Sequence, residues 1–426
     1  MTSIANLYSI FREHPSIQTD TRKIRKGDIF FALRGPNFNG NSFATQALEM
    51  GASYVVVDQA AQGNPSQIIV VDDVLITLQN LAKFHREQFS IPVLAITGSN
   101  GKTTTKELIH AVLSTAYKTY TTKGNLNNHI GIPISLLQTG DDAEMIVIEM
   151  GANHQGEIAG YCHYVLPTHG LITNAGKAHL EGFGGTEGVR KGKGELFDFI
   201  RAHQGTAFVM WDYDYLRAMS QGIREVIRYG TGDAEIEGAA TSSEPFLEIN
   251  VTRGCGPQNI STKLVGDYNL PNVLASVAVG CHFRVPAEKI TKAIEEYVPS
   301  NSRSQLIEKD SNRIFLDAYN ANPTSMRAAI ENFARQAGED KILVLGAMAE
   351  LGEESVGEHQ GVVDLIQRYP WKAVLLVGGD FMKTSHPYHL FATNVEAKNW
   401  LHAQNFKNSA FLVKGSRSME MEKVIE

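Results

Sequence analysis

The stretch Ile91-Pro-Val-Leu-Ala-Ile-Thr-Gly-Ser-Asn-Gly-Lys-Thr-Thr-Thr105 carries the types and spacing needed to hold a nucleotide triphosphate. Gly98 and Gly101 allow a tight turn whose backbone N–H groups converge on phosphate oxygens. Lys102 would then reach the β- and γ-phosphates, and the Thr103 hydroxyl would hold a Mg²⁺. The general loop G-x-x-x-x-G-K-[ST] asks for glycine at position 96, where Ile96 stands, so the match is to the shorter Thr97-Gly98-x-x-Gly101-Lys102-Thr103. The apolar run Val93 to Ile96 suits a strand covered on both faces. Beyond Thr103, Leu108, Ala111 and Val112 repeat at helical spacing, which sets a helix N-terminus against the phosphates.

Other chemistry-bearing residues follow further strands, where open α/β sheets bind their ligands. Glu149 closes the apolar run Met145–Ile148, and a carboxylate there needs a reason, either as a Mg²⁺ ligand or as a surface cap. His179, in Asn174-Ala-Gly-Lys-Ala-His-Leu-Glu181, could be a metal ligand, an electrostatic partner of a phosphate, or a structural histidine. Arg190, Lys191 and Lys193 form either a phosphate clamp or a solvated face, and spacing singles out none of them. Asn269 and Asn272 open an apolar helix. Capping is the better reading for Asn269, while Asn272 divides evenly between a cap and an adenine edge. Asp317 could hold a ribose hydroxyl and Asn320 could touch base or sugar. Lys414-Gly415-Ser416-Arg417 could be an anion site or an ordinary glycine turn.

These residues need a scaffold, and the chain divides into three blocks. Residues 1–88 hold short strands (28–33, 54–57, 68–71) and helices over 42–50 and 74–88. Residues 89–298 alternate strands (91–97, 144–150, 170–173, 206–210) with helices, which favours a mainly parallel sheet, and 245–266 read as antiparallel additions. Residues 299–426 alternate again, with strands at 313–317, 341–345, 373–377 and 410–413, as in a second open α/β domain. The expected class is therefore α/β.

Length and composition set the remaining bounds. A chain of 426 residues predicts roughly two to four domains, and 43% hydrophobic with 20% charged residues is ordinary for a globular protein. A net charge of −7 argues against nonspecific nucleic-acid binding. Three scattered cysteines without a C-x-x-C pair suit a reducing cytosol, with each thiol inert. Neither a signal peptide nor a membrane-length apolar run is visible, so a cytoplasmic protein without membrane insertion is expected.

The chain resembles the Mur ligases, ATP-dependent amide-bond-forming enzymes of bacterial cell-wall synthesis. The markers are Asp20-Thr-Arg22, Thr97-Gly-Ser-Asn-Gly-Lys-Thr-Thr-Thr-Lys106, Gly124-Asn-Leu-Asn-Asn128 with Ile130-Gly-Ile-Pro133, Glu149-Met-Gly-Ala-Asn153, Asn174–Glu181, Asp317-Ala-Tyr-Asn-Ala-Asn-Pro323 and Leu345-Gly-Ala-Met-Ala-Glu-Leu-Gly352. The resemblance spans essentially the whole chain. It implies a UDP-substrate-binding domain over 1–88, a central ATPase over 89–298 and a Rossmann-like domain over 299–426 that binds an incoming dipeptide. It also implies the activity: D-alanyl-D-alanine joined to UDP-N-acetylmuramoyl-tripeptide through an acyl phosphate, by a monomer.

Residue by residue, the resemblance implies a nucleotide held by Gly98, Ser99, Asn100, Gly101, Lys102, Thr103 and Thr104, with Asn272 at adenine and Arg303, Asp317 and Asn320 near ribose. It implies two Mg²⁺ ions served by Thr103, Glu149, His179 and a Lys193 carbamylated by CO₂, with Lys102, His179 and Lys193 as catalytic groups. Thr21, Arg22, Asn41, Asn125 and Asn128 would bind the UDP-substrate. The family's Asp-Gly-His reads Asn39-Gly40-Asn41 here, where an amide can still hydrogen-bond. A relative adding a single amino acid would carry Asp-Asn-Pro-Arg, which is absent. A non-ligase P-loop ATPase would need no acceptor amine.

Overall fold

The computed structural model describes residues 2–256, 258–300, 302–338 and 340–426. Its contacts group the chain into two units. The first comprises Met1–Ile96, Tyr117–Ala152 and Gly156–Gly170, the second Thr97–Ala116, Asn153–Gln155 and Leu171–Glu426.

In the first unit, short β-branched and aromatic runs form a four-stranded parallel sheet in the order Ile17–Gln18, Ile29–Phe31, Tyr54–Val57, Ile68–Val70. Phe30, Val55 and Val57 pack there on Ala44 and Ala47 of the helix Ala44–Glu49. The helix Val74–Arg86 is capped by the Asp73 carboxylate, which accepts from the Ile76 N–H. The strand Val93–Thr97 is buried throughout, as its unbroken apolar run requires. Met145–Glu149 lies parallel beside it, with Glu149 in register with Ile96, and Thr119–Thr121 lies parallel on the far side of Met145–Glu149.

In the second unit the strands Thr206–Met210, Glu225–Gly230 and Ile236–Ser243 pair in parallel. Leu247–Arg253 and Gln258–Ser261 then continue antiparallel, as 245–266 predicted. A six-stranded sheet follows in the order Gln305–Lys309, Asn312–Asp317, Ala410–Lys414, Lys341–Gly346, Ala373–Val377, His389–Phe391. Only its first pair is antiparallel. Ile314, Val344, Leu375 and Val413 form its core. The class is α/β with mostly parallel sheets. The polar hairpin strand Gln305–Lys309 and the edge strand His389–Phe391 escape the sequence pattern because neither is an apolar run.

One expectation is overturned. Cys255 and Cys281, read as separate inert thiols, form a disulfide with Cα atoms 5.5 Å apart, while Cys162 is buried and takes no part in it. The chain after Leu247–Arg253 turns back on the last turn of the helix Leu270–His282, a juxtaposition that spacing does not reveal. Among the described residues, no helix is long and apolar enough to cross a membrane.

Candidate functional site

The phosphate loop is built as its sequence requires. Gly98 and Gly101 have φ of +146° and +80°, which L side chains rarely adopt. A Cβ on Gly98 would strike the Thr173 hydroxyl, and one on Gly101 the Asn272 amide. The helix Lys102–Leu113 begins directly after Gly101, so its first N–H groups and its dipole face the loop. Lys102 Nζ donates to the carbonyls of Gly98 at 2.6 Å and Ser99 at 3.2 Å, folding the ammonium back over the turn. Thr103 and Thr104 are buried on the first helical turn.

The loop apex is stitched to the chain around 173–176. Asn100 N–H donates to Asn174 Oδ1 at 3.0 Å, while Asn174 Nδ2 and Thr173 Oγ1 donate to the Asn100 carbonyl at 3.1 and 2.6 Å. Ser99 Oγ donates to the Gly176 carbonyl at 2.9 Å. On its other side Asn100 meets Asn322, whose Nδ2 donates to Asn100 Oδ1 at 2.7 Å. Asn322 is also the N-cap of the helix Pro323–Arg335, in a capping box with Ser325.

The asparagine pair at 269 and 272 behaves differently from the capping expectation. Asn269 stands at the helix start, but its side chain makes no cap bond. Its Nδ2 donates instead to the Val265 carbonyl and Ser304 Oγ, and its Oδ1 accepts from Asn272 Nδ2 at 2.9 Å. Burial selects this outcome, since both amides lie inside and must find partners there. Asn272 Oδ1 accepts from Thr105 Oγ1 at 3.0 Å, so Asn272 sits against the phosphate loop.

His179 and Glu350 both have left-handed backbones, with φ of +52° and +61°. His179 Nδ1 contacts Glu350 Oε2, and this bond holds the Glu350 carboxyl below its ordinary range. Lys177 Nζ pairs with Glu358 Oε1 at 2.5 Å, and Lys177 N–H donates to Thr324 Oγ1 at 3.2 Å. Lys193 lies on the helix Thr186–Ala202, 1% exposed, its Nζ 4.9 Å from the centre of the Phe183 ring.

Asp317 ends its strand beside Lys414, which is in register with it. Lys414 Nζ donates to Asp317 Oδ2 at 2.5 Å and is only 2% exposed. The anion-site alternative for Lys414 is thereby overturned, because a buried ammonium with a carboxylate partner cannot meet a solvent anion. The Arg303 guanidinium stacks on the Tyr319 ring at 3.5 Å. Asn320 is exposed, with Oδ1 accepting from the Ala321 N–H.

The remaining candidates belong to the first unit. Glu149 is 2% exposed, and Oε1 accepts from Asn127 Nδ2 at 2.8 Å. Asn128 Oδ1 accepts from the N–H groups of Ile130 and Gly131, starting the helix Gly131–Leu137, while Asn125 is exposed. Asp20 caps the short turn Thr21–Lys23 and holds Arg22 bidentately. Asn41 is nearly buried, its amide exchanging bonds with Asp58.

Three family models cover most of the chain. The Mur ligase family catalytic domain matches residues 15–88, the Mur ligase middle domain 96–280 and the Mur ligase glutamate ligase domain 302–417. The UDP-N-acetylmuramoyl-tripeptide–D-alanyl-D-alanine ligase of Escherichia coli is 36% identical, over 96% of this chain and 92% of its own.

The chain belongs to the Mur ligase family.

Two solved Mur ligase structures are similar throughout. MurF from Acinetobacter baumannii has a TM-score of 0.87 at 32% identity, covering 96% of this chain and 92% of that one. MurF from Thermotoga maritima, in complex with ADP, has a TM-score of 0.88 at 26% identity, covering 100% and 97%. Within this Mur ligase, sequence reasoning assigned no role to Asn174, Asn322 or Glu350, although each lies in a marker motif. For Asn322 a signal existed, since Asn-Pro-x-Ser is a helix-start pattern. For Glu350 none did, because its partner is 171 positions away.

Proposed function

We propose that this chain is the ATP-dependent ligase that joins D-alanyl-D-alanine to UDP-N-acetylmuramoyl-tripeptide in peptidoglycan precursor synthesis, acting in the cytoplasm as a monomer. The observation that carries the reading is the phosphate loop, closed by two positive-φ glycines and covered by Lys102, in a chain related over nearly its full length to enzymes of that name.

The tripeptide carboxylate would attack the γ-phosphate to give an acyl phosphate and ADP. Two anions must approach, and the barrier is their repulsion. Loop N–H groups, the helix N-terminus and the Lys102 ammonium offset it. The dipeptide amine then attacks the acyl carbonyl and phosphate leaves. Residues 1–88 would hold the UDP-substrate, with Thr21, Arg22 and Asn41 as contacts. Residues 89–298 would hold the phosphates and adenine of ATP, and residues 299–426 the dipeptide, with Asp317 reaching over to the ribose hydroxyls.

Mg²⁺ is supported by donor chemistry. Glu149 offers a buried carboxylate with one oxygen oriented by Asn127, which suits a hard cation. Thr103 offers a hydroxyl on the first helical turn, and His179 an imidazole oriented through Nδ1. Mg²⁺ would neutralise phosphate charge. A carbamate on Lys193 would replace a buried cation with oxygen donors. Intact mass before and after acid treatment tests it: a CO₂-sized loss supports the carbamate and an unchanged mass rejects it.

ADP release tests the main reading. Release that requires UDP-tripeptide and D-alanyl-D-alanine together supports it. Release with neither present would make the chain a non-ligase ATPase.

A further inference from the structure

Lys414 ends a strand, yet 2% of its side chain is exposed. An ammonium so placed must have every N–H satisfied or pay a heavy desolvation penalty. Three acceptors meet its three donors: Asp317 Oδ2 at 2.5 Å, the Asp317 carbonyl at 3.3 Å and the Asn320 carbonyl at 3.2 Å. Strand register imposes the meeting, with Lys414 opposite Asp317 on one side and Leu345 on the other. Asp317 remains 21% exposed, and its Oδ1 accepts from the Ser304 N–H at 3.3 Å. Each carboxylate oxygen offers two lone pairs, so capacity is left for a ligand hydroxyl.

We propose that Lys414 is a positioning residue for nucleotide binding: it fixes the rotamer of Asp317, and the path of the chain from Asp317 to Asn320, so that the carboxylate meets the ribose hydroxyls. Lys414 itself touches no phosphate. This rests on the reading of Asp317 as the ribose contact. The two bonds to backbone carbonyls matter as much as the ion pair, since they pin the chain that runs on to Asn322 and its helix.

The test compares the affinities of the full chain for ADP and for 2′,3′-dideoxy-ADP by calorimetry at fixed Mg²⁺. A hydrogen bond from hydroxyl to carboxylate is worth about tenfold in affinity, so the wild-type protein is expected to prefer ADP by about that factor. In Lys414→Met the preference falls below about twofold, with dideoxy-ADP affinity nearly unchanged. A scaffold defect would weaken both ligands alike and keep the ratio, and that result overturns the proposal. Asp317→Ala, which leaves no acceptor, separates the two claims. If it too lowers the ratio, the ribose reading stands. A full ratio in Asp317→Ala removes the ribose contact and the positioning role with it. Should Lys414→Met not fold, Lys414→Gln is read by the same ratio.

Discussion

The side-chain amides of Asn100 and Asn322 face each other across 222 positions of sequence, with Asn322 Nδ2 donating to Asn100 Oδ1 at 2.7 Å. The reverse bond, Asn100 Nδ2 to Asn322 Oδ1, is longer at 3.4 Å, because that oxygen also caps the helix through the Ser325 N–H. One residue at the loop apex is thus tied to the start of a helix in the C-terminal segment. Asn100→Ala removes the amide pair and spares the cap, while Asn322→Ala removes both. Each variant is expected to raise the KM for ATP by about five- to tenfold. Only Asn322→Ala should also lose about 1 kcal/mol of stability. ATP saturation curves and thermal melts check the two effects separately.

Lys102→Ala should lower turnover by about 10²- to 10³-fold, the usual cost of removing a group aimed at developing charge. UDP-tripeptide binding in the absence of nucleotide should hold within about twofold, a change too small for a lost charged contact. Calorimetry on the variant measures the second quantity. A parallel loss of both would contradict the separation between phosphate chemistry and substrate capture.

Glu350 Oε2 contacts His179 at Nδ1, so Nε2 is the nitrogen that a Mg²⁺ at His179 would meet. Glu350→Ala should cost about tenfold or more in activity and raise the Mg²⁺ concentration needed for half-maximal rate. Glu350→Gln, which still accepts from Nδ1–H, should keep most of both. An Mg²⁺ titration unchanged in Glu350→Ala would reduce the contact to an ordinary surface pair.

His359 supplies the pH dependence. Its Nε2 accepts from the Met348 N–H at 3.0 Å and its Nδ1–H donates to the Ser355 carbonyl at 2.7 Å, so it is neutral in the fold and burial pushes its pKa down. The unfolded chain therefore takes up the proton first. Stability contributed by neutral His359 is complete above the ordinary imidazole pKa of about 6.5 and is lost as pH falls from there toward the lower folded value. Protonation would also cost the Met348 bond, two residues before Glu350. Urea midpoints at pH 7.5 and pH 5.5 should differ more in the wild type than in His359→Gln.

The local chemistry was legible because it depends on neighbours in sequence. The loop from Gly98 to Thr103 needs glycines, a lysine and a following helix, and all stand within a few positions. The buried strands at 93–97 and 206–210 announced themselves as apolar runs. The strand Gln305–Lys309 did not, since none of its residues is buried and only its pairing with Asn312–Asp317 makes it a strand.

Sequence by itself determined the α/β class, the phosphate loop and the family markers, because periodicity and short motifs are local properties. Tertiary structure alone decided that Lys414 neutralises Asp317 rather than an anion, that Asn269 braces Asn272 rather than capping its helix, and that Cys255 meets Cys281. Each of those outcomes turns on which groups share a buried space. Burial forces a polar side chain to take whatever partner the fold brings within reach, and for Lys414 it is strand order, not spacing along the chain, that chooses the partner.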